Sequence, residues 1–274
     1  MARPRDAEMT FMARPRDAEM TFGSTDESHV EGAEKYILLG SCFAQYMGEK
    51  MQAEGWVVTS NPLGTLYNPF SILQTVRAAL HLDEACIPVF PTDGEWRCWW
   101  ANTTFRTPTE EGTRALVKAQ LQSLRDALLE ARKMVVTLGT NVCYKLQENG
   151  MVVTNCQRQP DRLFHEYRAP LSEVTTVLEE LVKEVLSANP EMEITFTVSP
   201  YRYKKYGLHG SQLSKATLLL AVDEVVKAHP GVCHYFPAYE VMMDELRDYR
   251  YYAPDGVHPS AEAVEIIWER WKSF

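Results

Sequence analysis

Five short runs of apolar and β-branched residues set the limits on how this 274-residue chain can fold. They are Tyr36–Gly40 (YILLG), Trp56–Ser60 (WVVTS), Met134–Leu138 (MVVTL), Ile194–Ser199 (ITFTVS) and Val232–Phe236 (VCHYF). Each is apolar nearly throughout instead of alternating with polar residues, as expected of strands covered on both faces. Amphipathic segments lie between them, roughly Ala44–Glu54, Glu111–Ala131, Leu171–Ala188 and Ser214–Ala228, with a last one after Pro259. The alternation predicts an α/β fold, a flavodoxin-like three-layer α/β/α sandwich around a parallel sheet of about five strands.

Two excursions interrupt the pattern. Asp83–Arg106 carries Trp96, Trp99 and Trp100 and reads as a surface excursion near the top of the sheet. Tyr144–Glu148 and Met151–Asn155 flank Asn149-Gly150, which predicts a β-hairpin with a type I′ turn. No linker rich in Pro, Gly or Ser divides the chain, so residues 23–274 are expected to form a single domain. At the start, MARPRDAEMTF occurs at Met1–Phe11 and again at Met12–Phe22. Solenoids need several diverged copies of 20 or more residues. The duplicated segment 1–22 is therefore read as a start-site artefact or a recent duplication, expected to be disordered, and is set aside from the fold.

Composition narrows the function classes. The net charge is -9, and no basic stretch is long enough for a nucleic-acid footprint. No apolar run approaches the roughly 20 residues of a membrane span, and no apolar leader is visible, so the expected location is the cytoplasm. The six cysteines (42, 86, 98, 143, 156 and 233) show neither C-x-x-C pairs nor zinc spacing and are expected to be reduced. No metal or cofactor is implied, and the oligomeric state is not legible.

Ligands of open α/β sheets bind at the carboxyl ends of the strands. The first strand ends at Gly40-Ser41-Cys42, the second at Asn61-Pro62-Leu63-Gly64, the third at Gly139-Thr140-Asn141 and the fourth at Ser199-Pro200. Near the C-terminus, Asp255-Gly256-Val257-His258-Pro259 spaces a carboxylate three residues from an imidazole, at a turn entering a helix. That spacing lets the carboxylate hold Nδ1–H and leaves Nε2 as a general base. A solvated helix-start turn would look the same.

Taken in chain order, these strand-end motifs resemble the SGNH (GDSL-like) hydrolase superfamily. Gly40-Ser41-Cys42-Phe43-Ala44 spells the name of one of its relatives, the GSCFA family. The resemblance runs from about Tyr36 to the C-terminus, through NPLGTLYNP (61–69), TLGT (137–140), TVSPYR (197–202), LSKATLL (213–219), YFPAYE (235–240), LRDYRYY (246–252) and DGVHPS (255–260). It implies an SGNH-type fold and a nucleophile-His-Asp site for acyl transfer. Asp255 and His258 match the dyad. Gly64 matches the second-strand glycine of the oxyanion hole, and Asn141, in the block opened by Gly139, matches its asparagine donor. The Asp that usually follows that asparagine is Val142 here. Where the superfamily reads G-D-S-L, this chain reads G-S-C-F, so a gap-free register puts Cys42 on the nucleophile and leaves Ser41 as the alternative. A helix N-terminus is expected to lower the Cys42 thiol pKa.

The implied activity is hydrolysis of an ester or thioester, with a small-molecule or carbohydrate ester as substrate and neither nucleic acid nor membrane as partner. Two rivals remain: an acyltransferase on the same site, and a non-catalytic binding module that kept the fold. Of the other residues noted, His209 is read as a solvated loop histidine, and Arg202, Lys204 and Lys205 as a charged loop. Asn68 and Asn155 suit the lining of the cleft and turn chemistry equally well, while the three tryptophans are read as packing of the excursion and Arg247–Tyr252 as a structural network.

Overall fold

A computed structural model describes residues 34–274. The expectations for the duplicated segment and for the domain's start at residue 23 lie outside the described residues. Five strands form one parallel sheet: β1 (Lys35–Gly40), β2 (Val57–Ser60), β6 (Lys133–Leu138), β10 (Glu193–Val198) and β11 (Cys233–Phe236), in the order β11-β10-β6-β1-β2. This is the flavodoxin-like doubly wound order, in which strand order reverses beside the first strand.

The pleat explains why the strands read as unbroken apolar runs. Along β1, Ile37 and Leu39 enter one core cluster and Leu38 the other; along β6, Met134, Val136 and Leu138 enter the first and Val135 the second. The larger cluster packs α2 (Pro69–Leu80), α3 (Glu110–Glu130), α4 (Leu171–Ala188) and α5 (Gly207–Ala228) on one face. The smaller packs α1 (Cys42–Ala53), the short turn α6 (Ala238–Glu240) and α7 (Ala261–Lys272) on the other. Among the described residues, no helix is long and apolar enough to cross a membrane.

Both excursions form small antiparallel sheets. The first holds β3 (Val89–Thr92), β4 (Glu95–Cys98) and β5 (Arg106–Thr107). Its Trp99 stacks on Phe90 with ring centroids 3.7 Å apart, and Trp100 packs against the main core, so both serve packing. The second holds β7 (Val142–Leu146), β8 (Val152–Val153) and β9 (Phe164–Arg168). The expected type I′ turn is corrected here. That turn needs positive φ at both central residues, but only Gly150 has it (φ 72°), and the Leu146 N–H bonds Met151 O across a longer loop. His209 also departs from expectation, lying in the first turn of α5 instead of a loop, though exposed.

Candidate active site

In a parallel sheet all carboxyl ends lie on one edge, and the residues that follow them build the site. β1 stops at Gly40, whose N–H bonds the Asn61 side-chain oxygen at 2.8 Å. Ser41 caps α1: its Oγ accepts from Phe43 N–H at 3.3 Å, and the residue is 1% exposed. Cys42 is the first residue of α1 and is partly exposed. Its N–H lies in the first turn, where no intrahelical acceptor exists. Of the two candidates, Ser41 is buried and used as a cap, whereas Cys42 reaches solvent.

The carboxylate–imidazole pair forms as the spacing predicts. Asp255 Oδ1 accepts from Val257 N–H at 2.9 Å and His258 N–H at 3.0 Å, and Oδ2 accepts from His258 Nδ1–H at 2.5 Å. Because a carboxylate only accepts, Nδ1 carries the proton and Nε2 is left as the basic nitrogen. These bonds, that from His258 first, hold the Asp255 carboxyl well below the usual carboxylate range. The turn is tied to the strand-end side by Arg202 N–H on Val257 O at 3.1 Å, by Lys204 Nζ on Asp255 O, and by Tyr201, whose ring lies 4.6 Å from the His258 ring. The Asp255 charge is felt at the Cys42 thiol.

The thiol itself corrects an expectation. Burial raises the Cys42 pKa from its ordinary 9.0, ahead of the opposing N–H groups of Phe43 and Cys42 and the opposing charge of Lys215. The helix N-terminus acts in the expected direction but is outweighed by desolvation. Four other thiols are raised to higher values, with burial the leading cause: Cys143 and Cys156 up to about 11 and Cys98 and Cys233 up to about 12.

The residues matched to an oxyanion hole each also make contacts within the scaffold. The Gly64 N–H closes a turn on Asn61 O at 2.8 Å, with φ of 96°. The Asn141 amide donates to Ala169 O at 2.7 Å, pinning the end of β9 beside β7. The Gly64 N–H is thus engaged in the scaffold, while the Asn141 amide commits one of its two N–H groups there. Gly139 is the junction of the site. Its N–H and that of Thr140 both bond Tyr67 O at 2.9 Å. A Cβ at Gly139 would lie 2.9 Å from both Tyr67 O and the Tyr203 hydroxyl, and 3.6 Å from Ser41 Cβ.

One residue of the site was not singled out from the sequence. Lys215, on α5, is 1% exposed, and its Nζ donates to Gly139 O at 2.8 Å and Ser199 O at 2.7 Å. The signal was available. Lys215 stands on the same buried stripe as Leu218, Val222 and Val225, where a helix three- and four-residue spacing calls for apolar side chains. The remaining polar residues match their bland readings. Asn68 caps α2 through Ser71 N–H at 2.9 Å, Asn155 accepts from Gln157 N–H at 2.7 Å, Lys205 pairs with Glu166, and Arg247 with Asp244.

Among the described residues, no group of three or more His, Cys, Asp or Glu side chains could hold a metal ion. Residues 35–271 match the family described as GSCFA family. No curated protein matches the chain. Among solved structures, a protein provisionally described as a platelet activating factor from Streptococcus pneumonia is similar at 12% identity, over 89% of this chain and 86% of that one, with a TM-score of 0.46. A carbohydrate esterase family 3 protein from Talaromyces cellulolyticus is similar at 9% identity over 87% and 94%, with a TM-score of 0.43. A mutant acetyl esterase, crystallised with an acetate ion, is similar at 9% identity over 86% and 93%, with a TM-score of 0.40.

Proposed function

This chain belongs to the GSCFA family, and from that premise we propose that it is an acyl-ester hydrolase with Cys42 as nucleophile, His258 as general base and Asp255 as the group that orients it. The observation that carries the reading is a pair of features that the chemistry needs: a partly exposed thiol at the head of α1, just past the carboxyl end of β1, and an imidazole whose Nδ1–H is held by a carboxylate, which leaves Nε2 basic.

In the first step Cys42 Sγ forms a bond to the ester carbonyl carbon while its proton passes to His258 Nε2. Because burial keeps the thiol protonated, the transfer accompanies the attack, which is general-base chemistry and needs no standing thiolate. The carbonyl oxygen gains the negative charge, and the Cys42 N–H at the head of α1 is suited to receive it. Collapse breaks the bond to the leaving oxygen, which takes the proton from His258. Water then attacks the thioester, again giving its proton to His258, and the C–S bond breaks to restore the thiol and release the acid.

The test is turnover of a panel of short-chain aryl esters and acyl thioesters by wild type, Cys42→Ala and Ser41→Ala. Turnover should vanish in Cys42→Ala and persist in Ser41→Ala, at a level reduced by loss of the cap, worth about 1 kcal/mol of stability. An active Cys42→Ala beside a dead Ser41→Ala would move the nucleophile to Ser41. Acyl transfer to an added alcohol, outrunning hydrolysis, would favour the transferase.

A further inference from the structure

We propose that Tyr201 is a positioning residue of this site: its ring seats the His258 imidazole, and the loop that carries it clasps the Asp255–His258 turn. The role of His258 as general base, proposed above, is the premise for any effect on turnover. The seat itself is a property of the ground state.

Among the described residues, the imidazole is held by one side-chain hydrogen bond, from Nδ1–H to Asp255 Oδ2. The torsion that turns such a ring is broad and two-fold, and the His258 side chain is 33% exposed. One bond at one corner leaves the ring free to swing unless something packs against it. Tyr201 does so. The two ring centroids lie 4.6 Å apart with the planes at 63°, an edge-to-face contact inside the favourable range for aromatic pairs.

Tyr201 is itself fixed from the sheet. Ser199, just past β10, donates its N–H to Leu138 O at 2.8 Å, and its Oγ accepts from Tyr201 N–H at 3.4 Å. The Tyr201 ring meets the Tyr203 ring edge-on, with centroids 4.8 Å apart. Tyr203 lies between Tyr67 at 6.3 Å and Tyr206 at 5.5 Å, and its hydroxyl abuts Gly139, just past β6. A row of tyrosine rings thus runs from the sheet to the imidazole. The same loop holds the backbone of the turn, through Arg202 N–H on Val257 O at 3.1 Å and Lys204 Nζ on Asp255 O. The 251–253 segment holds it too, through Ala253 N–H on His258 O at 2.8 Å and Ser260 N–H on Tyr251 O at 2.7 Å. With the backbone pinned by both segments, the side-chain torsions of His258 are the freedom that remains, and the Tyr201 ring limits them.

Space filling alone would accept any bulky side chain at this half-buried position. Catalysis asks for more. A base that takes a proton from Sγ and returns it to the leaving oxygen must be locked by packing as well as by hydrogen bonds. A ring braced against the imidazole supplies that lock.

The experiment compares wild type with Tyr201→Phe, which keeps the ring, Tyr201→Leu, which keeps bulk without a flat face, and Tyr201→Ala, which keeps neither. The ester-free readout is exchange of the His258 Nδ1 proton with solvent, followed by 15N-resolved NMR. Exchange should quicken at least about fivefold in Tyr201→Leu and Tyr201→Ala and stay within about twofold of wild type in Tyr201→Phe. The Ile194 N–H, bonded to Val232 O at the other end of the sheet, is the internal control and should not change. On short-chain aryl esters, kcat should fall about tenfold in Tyr201→Leu and Tyr201→Ala with KM within about twofold, and Tyr201→Phe should recover most of the loss. A Tyr201→Leu indistinguishable from wild type in both readouts would make Tyr201 a space filler and overturn the proposal. So would a Nδ1 proton that exchanges no more slowly in wild type than in Tyr201→Ala. If only Tyr201→Phe folds, wild type decides: nuclear Overhauser contacts between the ring protons of Tyr201 and His258 are expected, and their absence would overturn the proposal. A wild type without esterase activity counts against the hydrolase reading and leaves the seat to be judged by exchange. Faster exchange with kcat unchanged counts against the positioning role alone.

Discussion

Asp255→Asn is expected to cut turnover by about 10⁴ while leaving KM within a few-fold, and His258→Ala by at least about 10³. The reason lies in which atoms the carboxylate holds. Oδ1 accepts two backbone N–H groups, and an asparagine oxygen can keep both. Oδ2, however, faces His258 Nδ1. In Asp255→Asn that position becomes an NH2 donor. It pairs only with an unprotonated Nδ1, which moves the imidazole proton to Nε2 and leaves nothing to take the Cys42 proton. The variant should keep its fold and its substrate affinity and lose the chemical step. Steady-state kinetics of purified Asp255→Asn, with circular dichroism as the folding control, checks this. Retention of more than a tenth of wild-type kcat would show that the carboxylate is only a turn residue.

Gly40→Ala should be the most damaging single methyl in the site. Gly40 sits at φ 145°, and an added Cβ would lie 2.1 Å from the Thr137 carbonyl oxygen, to which β1 is registered in the sheet. Neither partner can yield, because Thr137 is backbone of β6 and the Gly40 N–H is held by Asn61. A substitution of this kind belongs with the core overpacking and backbone-strain changes that cost about 3 kcal/mol or more. In a domain of this size that corresponds to roughly 6–12 °C in Tm. Gly55→Ala is the matched control. Its φ of 86° is also positive, but no heavy atom lies within 4 Å of its added Cβ, so it should cost about 1–2 kcal/mol of backbone strain alone. Thermal unfolding of both variants decides the matter, and equal losses would mean that the close approach of β1 and β6 does not limit residue 40.

The contrast between these two glycines shows what the sequence carried. The central strands were legible because burial on both faces removes the polar alternation, and each observed boundary lies within a residue or so of the apolar run. The Asp255–His258 pair was legible because three-residue spacing in a turn fixes its own geometry. α2 was not among the clearest helices, since Ile72, Leu73, Val76 and Ala79 are all buried and little polar contrast marks its period. The start of α5 was hidden because Gly207 and Gly210 imitate a loop. β9 (FHEYR) went unnoticed because its partner β7 is distant in sequence. The oxyanion assignments rested on residue type at matched positions. Which acceptor an N–H or amide chooses is a tertiary fact: Asn61 O takes the Gly64 N–H, and Ala169 O takes one of the two Asn141 amide N–H groups. Lys215 was hidden in a run of helix-favouring residues, although a lysine on an apolar stripe is a signal in itself.

The central claim is a covalent acyl-enzyme on Cys42, and rapid acid quench of the protein with an activated aryl ester, followed by peptide mass spectrometry, tests it most directly. The account predicts an acyl mass increment on the peptide carrying Ser41 and Cys42, labile to hydroxylamine as a thioester, absent from Cys42→Ala and lost on further incubation as water completes the cycle. An increment retained by Cys42→Ala and lost in Ser41→Ala, or ester turnover with no acylated peptide at all, would contradict it.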